Sequence, residues 1–408
     1  MSRPTGNTRL RAARTAAGFG SQQALADALS ALGVTVGLKQ IQRWESSSPP
    51  WPYPDARQAL QQLLGRTMED LGFTPPEGVA DPRPPATVLA PPTRGPMRTP
   101  NTMQPASTGS DYLTVTRAHR QLYWSVAPAT LHPAVAAHAE LGEALLPATS
   151  GLTRRSLATA LAESWLLAGR IEFFDQQVPA RAQDSWVRAL QAAGEADDPL
   201  LGSAILAHMA FIPGWSGNQP AVAERMAAAR TYARRAAAST GFRAWLDAVE
   251  AECETRCGNT YTALRLINHG EDVLAVGDDQ PDPEWMDWFS PVRLAAFKGN
   301  TQLKAGHLPQ ARETLVRVLE ELPPDADKQR TVVLGDLGAV EAEAGRPQDA
   351  AAYAVRALEL LETHWYATGM ERVRDVRRAL APWQHEQCVR DLDDRLYAWG
   401  PVLNALTH

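Results

Sequence analysis

Cysteine is scarce. Three thiols in 408 residues (Cys253, Cys257 and Cys388) cannot build a disulfide framework, so a reducing, cytoplasmic setting is expected. No apolar run approaches the roughly 18 to 20 residues a membrane span needs. The opening Met1-Ser2-Arg3-Pro4-Thr5-Gly6 has no apolar core of the kind an export signal carries. No membrane partner is expected. Strand signals are nearly absent, because β-branched alternation is rare. Catalytic signatures are missing too. There is no Gly-x4-Gly-Lys-Ser/Thr phosphate loop and no His-Glu-x2-His helix, and the nine histidines lie scattered without triad-like company. Cys253 and Cys257 sit one helical turn apart, with His269 twelve residues beyond Cys257, but no fourth zinc ligand is evident. Small buried hydrophobes are the preferred reading of the two thiols. No enzyme activity, cofactor or metal site is expected.

What the chain does hold is unevenly distributed. Its formal net charge is −6, but residues 1–75 carry +3 and the chain after residue 110 carries −10. Only the head has the sign to meet a polyanion, although +3 alone does not establish that. Ten of the 31 prolines fall between Pro75 and Ser110. Proline removes backbone donors and restricts the residue before it, so this stretch reads as a disordered, semi-extended linker over 75–110.

The head, residues 1–74, reads as five short helices. Asn7 to Ala17 forms the first, closed by Gly18. Ser21 caps a second with Leu25, Ala28, Leu29 and Leu32 on one face, and Gly33 breaks it. A third runs from about Gly37 to Ser46 with Ile41 and Trp44 turned inward. Pro54 opens a fourth, and Thr67 to Leu71 makes a fifth. The run Ser21-Gln22-Gln23-Ala24-Leu25-Ala26, then Gly33, then Gln40-Ile41-Gln42-Arg43-Trp44-Glu45 resembles the helix-turn-helix of XRE-type (phage repressor-like) transcriptional regulators. The connection from Ala31 to Val36 is about two residues longer than that family's tight turn.

The resemblance implies that the third helix enters the major groove. Gly37, Leu38, Lys39 and Gln40 would then face the groove, with Gln42 and Arg43 a turn further on. Lys39 would donate to guanine O6/N7 or to a phosphate, Gln40 would pair with adenine, and Leu38 would touch a thymine methyl. Gln22 and the amides opening the second helix would hold phosphate, and Arg9, Arg11 and Arg14 are candidate backbone contacts.

From 111 to 408 nearly everything has helical period, which makes the whole chain all-α. Glycines at 169, 217, 258, 306 and 345 are each read as a turn between two amphipathic helices. Their spacings of 48, 41, 48 and 39 residues fit a helical-hairpin solenoid. Gly299, Gly306, Ala311, Leu315, Val318 and Pro323, then Gly338, Gly345, Ala350 and Ala357, resemble tetratricopeptide (TPR) repeats. That resemblance implies a concave face that binds a peptide, a partner protein or a small molecule. In its register Arg293, Asn300 and Lys304 fall on the inward stripe. Ten tryptophans lie after residue 110, among them Trp165, Trp215, Trp245, Trp285 and Trp288. They are read as core first and as pocket walls second.

An XRE-type head on a TPR-like body resembles the layout of peptide-responsive regulators. The expectation is a homodimeric, sequence-specific DNA-binding transcriptional regulator that contacts double-stranded DNA and carries a peptide or small-molecule ligand in its body. The alternative is a TPR interaction scaffold with no DNA role.

Overall fold

The computed structural model describes residues 6–75, 103–277 and 280–406, with side chains to 399. Among these residues every regular element is helical, with eighteen α-helices and no strand. None of the helices is long and apolar enough to cross a membrane. The chain divides into two compact units, residues 1–97 and 98–408.

The first unit holds four helices: α1 (Thr8–Ala16), α2 (Gln22–Ala31), α3 (Leu38–Trp44) and α4 (Pro54–Leu64). Asn7 caps α1 through its side chain, and Ser21 Oγ accepts from Ala24 N (3.1 Å) to cap α2. Gly65 ends α4 in the left-handed region at φ 61°. The expected fifth helix is a single turn. Leu71 N reaches Thr67 O, but Gly72 at φ 80° turns the chain away before a second turn can form. One core joins all four helices through Leu10, Leu25, Leu29, Ile41, Trp44 and Leu60, closed by Leu71 and Phe73 from that turn.

The second unit begins earlier than residue 111. Residues 103–110 are ordered structure: Gln104 N donates to Ala148 O, and α5 (Thr108–Leu122) already includes Thr108 to Ser110. The rest of the expected linker, 76–102, lies outside the described residues. After α6 (Pro128–Leu145) come five antiparallel hairpins: α7 (Gly151–Arg170) with α8 (Pro179–Ala196), α9 (Pro199–Trp215) with α10 (Gln219–Ala233), α11 (Thr240–Arg256) with α12 (Thr260–Val276), α13 (Pro291–Lys304) with α14 (Leu308–Glu321), and α15 (Asp327–Glu343) with α16 (Pro347–Thr363). α17 (Ala367–Ala379) and α18 (Gln387–Leu406) follow. Each odd-numbered helix from α5 to α17 also packs on the next odd-numbered one, which makes them a continuous inner layer.

Four of the five expected hairpin turns stand where the glycines put them. Gly217, Gly258, Gly306 and Gly345 all take positive φ, between 71° and 85°, where a Cβ would be strained. Gly169 is different. It lies inside α7, and a Cβ there would fall 2.4 Å from the Trp186 indole nitrogen. Its role is to let α8 approach. The helix then loosens into one π-helical segment, Ile171–Asp175, and turns at Gln177 (φ 56°). Gly299 also serves close approach, because its absent side chain makes room for Leu315.

Candidate functional sites

In the first unit, α3 is held from beneath and presents its other side outward. Ile41 is 0% exposed and Trp44 1%, and the Trp44 ring meets Phe73 edge-on at 6.3 Å. The Asn7 amide donates to Trp44 O (3.2 Å) and Leu71 O (2.8 Å), tying the end of α3 to the start of α1.

Glu45, the residue after α3, is a buried hub. It accepts from Arg14 Nε (2.7 Å) and from the Gln22 amide (2.7 Å), and the Arg11 guanidinium stands 3.5 Å away. Burial on its own would raise this carboxyl's pKa. The hydrogen bonds from Arg14 and Gln22, with the charges of Arg14 and Arg11, outweigh burial and hold it below the usual carboxylate value.

Gln22 is half-buried with one amide N–H given to Glu45, and Arg14 is buried in the same ion pair. Arg11 keeps half its side chain exposed, and Arg9 reaches only Glu69 O (3.3 Å). Gly37, Lys39, Gln42 and Arg43 are exposed, Leu38 is 39% exposed, and Gln40 is half-buried. Among the described residues Lys39 and Arg43 have no acidic partner within ion-pair distance. The outer edge of α3 therefore carries two free cations, amide groups and one apolar side chain.

In the second unit the inner layer lines a partly open cavity. Its wall draws on the end of α5, on every odd-numbered helix from α7 to α17, and on Trp288 and Phe289 before α13. Contacts between segments far apart in sequence close the concave side. Lys328 Nζ of α15 donates to Asp175 Oδ1 in the π segment (3.2 Å), and Thr368 Oγ1 of α17 donates to Phe174 O (3.4 Å). Arg372 of α17 pairs with Glu252 of α11 (3.4 Å) and with Asp336 (3.2 Å). The concavity is a chamber with a mouth, not the open trough a long extended peptide would need.

Arg293 and Asn300 line this chamber as the inward stripe predicts, with Asn300 donating its amide to Asp336 (2.9 Å). Lys304 does not. It falls in the last turn of α13, exposed at the hairpin end and absent from the wall. The tryptophans serve both roles. Trp165 and Trp285 are core, Trp245 and Trp288 are core residues that also line the chamber, and the partly buried Trp215 lines it too. Arg170, Lys328 and Arg372 were missed as wall residues. Their helical spacing was visible, but nothing local distinguishes a basic side chain turned into a chamber from one in solvent.

The thiols do not assemble a metal site. Cys253 is buried and directed at Ala210 O, and burial pushes its thiol pKa well up, while His269 Nδ1 pairs with Asp247 (2.7 Å). Among the described residues no group of three or more His, Cys, Asp or Glu side chains is set to hold an ion. No protein-family model matches the chain, and no curated protein does.

Proposed function

We propose that the chain is a sequence-specific DNA-binding transcriptional regulator, with an XRE-type helix-turn-helix head and a TPR-like body that receives a small-molecule signal. The single observation behind the DNA reading is the outer edge of α3. Lys39, Gln42 and Arg43 project from a helix anchored by Ile41 and Trp44, and no carboxylate of the described residues occupies the two cations. Such an edge fits the major groove, where the amides can read adenine and the cations guanine or phosphate. One short helix reads few base pairs, so two copies on a pseudo-palindrome are expected. A chamber walled by helices from most of the body favours a signal-receiving body over a scaffold that grips an extended partner.

The test is genome-wide crosslinking of the full chain, followed by salt-dependent binding to the sites recovered. Lys39→Ala together with Gln40→Ala should reduce discrimination between those sites and random DNA. Arg43→Ala should lower the slope of log K against log salt by about 1 if it meets a phosphate. If the full chain prefers no genomic sequence over random DNA, the regulator reading fails.

A further inference from the structure

One deeply buried cation of the chamber, Arg170, has no ion pair among the described residues. Buried basic side chains elsewhere in the body sit against carboxylates: Arg120 on Glu163, Lys328 on Asp175, Arg372 on Asp336 and Glu252. Arg170 is only 7% exposed, yet it has no ion pair and no hydrogen bond with any described residue. Its guanidinium lies instead over aromatic rings, 4.4 Å from the Trp288 centroid, 5.0 Å from Tyr123 and 5.9 Å from Trp124. Asp175, bonded to Lys328, and Asp287, 3.6 Å from Arg120, stand near enough for the Arg170 charge to favour their ionised forms, but neither reaches its guanidinium.

Ring faces offset part of the cost of burying a cation, but they do not satisfy its N–H fork, which is shaped for two parallel bonds to an oxyanion. The side chains that line the chamber include four cations (Arg170, Arg293, Lys328, Arg372) and two carboxylates (Glu252, Asp336), with Asp175 against Lys328 behind the wall.

A second polar group of the wall is also unused. His208, 3% exposed, has Nδ1 2.8 Å from Ala204 O. A carbonyl only accepts, so Nδ1 carries the hydrogen, and Nε2 is left as a lone-pair acceptor with no partner among the described residues. The rest of the wall is largely aromatic, including Phe211, Trp215 and Trp245.

We propose that the chamber binds a flat aromatic small molecule bearing one carboxylate, with Arg170 as its counter-ion, the aromatic wall against its ring faces and His208 Nε2 available to a hydroxyl or N–H on its rim. This deepens the reading of the body as a receiver, and it names what the receiver takes.

The probes are 2-naphthoate, its uncharged isostere 2-naphthamide, and inorganic phosphate, each titrated calorimetrically into the full chain without DNA. Naphthoate should bind at least tenfold more tightly than the amide, and phosphate alone should bind weakly or not at all. Arg170→Met keeps the apolar stem. It should cut naphthoate affinity at least tenfold and leave amide affinity unchanged.

The contrast between naphthoate and amide needs no variant, so a poorly folded Arg170→Met would not blunt the test. No naphthoate binding at millimolar concentration, equal binding of the amide, phosphate binding as tightly as naphthoate, or a well-folded Arg170→Met with wild-type naphthoate affinity each overturns the proposal. Because DNA is absent, failure here leaves the α3 contact untouched. Failure to bind DNA would likewise leave the calorimetry standing.

Discussion

Replacing Glu45 should release α3 from its unit. The carboxylate joins three elements, with Arg14 and Arg11 arriving from α1, Gln22 from α2, and Glu45 itself from the end of α3. Glu45→Ala strands the Arg14 guanidinium, which is 6% exposed, and also leaves the Gln22 amide without its acceptor. Breaking one side of a buried ion pair costs about 3–5 kcal/mol. A unit of this size holds little more than that in total. At about 1.4 kcal/mol per decade, backbone amides of α3 should exchange hydrogen roughly two to three and a half decades faster, saturating where the whole unit opens.

Hydrogen exchange on the full chain, read on peptides covering residues 38–46, measures this directly and leaves the hairpins as an internal control. Glu45→Gln keeps an acceptor but loses the charge, so it should fall between wild type and alanine. The pH dependence has a definite sign. The folded pKa of Glu45 lies below the unfolded one, so its contribution is full above the unfolded value near 4.5 and fades as pH falls through the lowered folded value. Glu45→Gln should lack that acid-side loss. An α3 that exchanges within about fivefold of wild type in Glu45→Ala, a difference near 1 kcal/mol, refutes the hub.

Two further perturbations report on the body. Gly169→Ala should destabilise by roughly 1–3 kcal/mol through overpacking against Trp186, whereas Gly306→Ala should cost about 1–2 kcal/mol through its positive φ with no clash at all. Adding Trp186→Phe to Gly169→Ala in a denaturant-midpoint cycle should recover part of the first loss and none of the second. For acid stability, burial drives the His208 pKa down to about 3, so the unfolded chain takes up a proton there first. Stability is therefore lost as pH falls below about 6.5. Between pH 7 and 5 that loss is about 2 kcal/mol. Burial of Glu163, only partly offset by Arg120, works in the opposite direction. Its pKa rises to about 7, so protonation over the same interval stabilises the fold. The wild type should consequently lose about 2 kcal/mol more than His208→Gln across that interval in urea titrations, and equal losses would contradict a buried neutral His208.

What was legible in the sequence, and what was not, follows from the range of the interaction that decides each feature. Helix existence is set by local period, and α1 to α4 stand within a few residues of where capping and periodicity place them. Hairpin turns at Gly217, Gly258, Gly306 and Gly345 were legible because a positive φ is a local demand. Gly169 was misread because glycine meets two different demands, a left-handed backbone or a missing Cβ, and the second depends on Trp186 in the next helix. The actual turn uses Gln177, a residue that carries no such signal. Lys304 failed for a related reason. Helical spacing assigns it to the stripe of Arg293 and Asn300, but a stripe continues past the chamber it lines.

Charge shows the limit most sharply. A body of net −10 gives no hint of a chamber lined by four cations and two carboxylates, because a sum over residues discards where they sit and which of them are already paired. Among the described residues, two buried ion pairs join helices far apart in the chain, Lys328 with Asp175 and Arg372 with Glu252. Once those pairs are cancelled, Arg170 remains in the inner layer as a buried cation that lies on ring faces and makes no ion pair or hydrogen bond among the described residues. A structural ion pair would have removed that cost, and so would an apolar residue of the same size. This sequence uses neither solution at position 170, and the proposed carboxylate ligand would supply the missing ion pair.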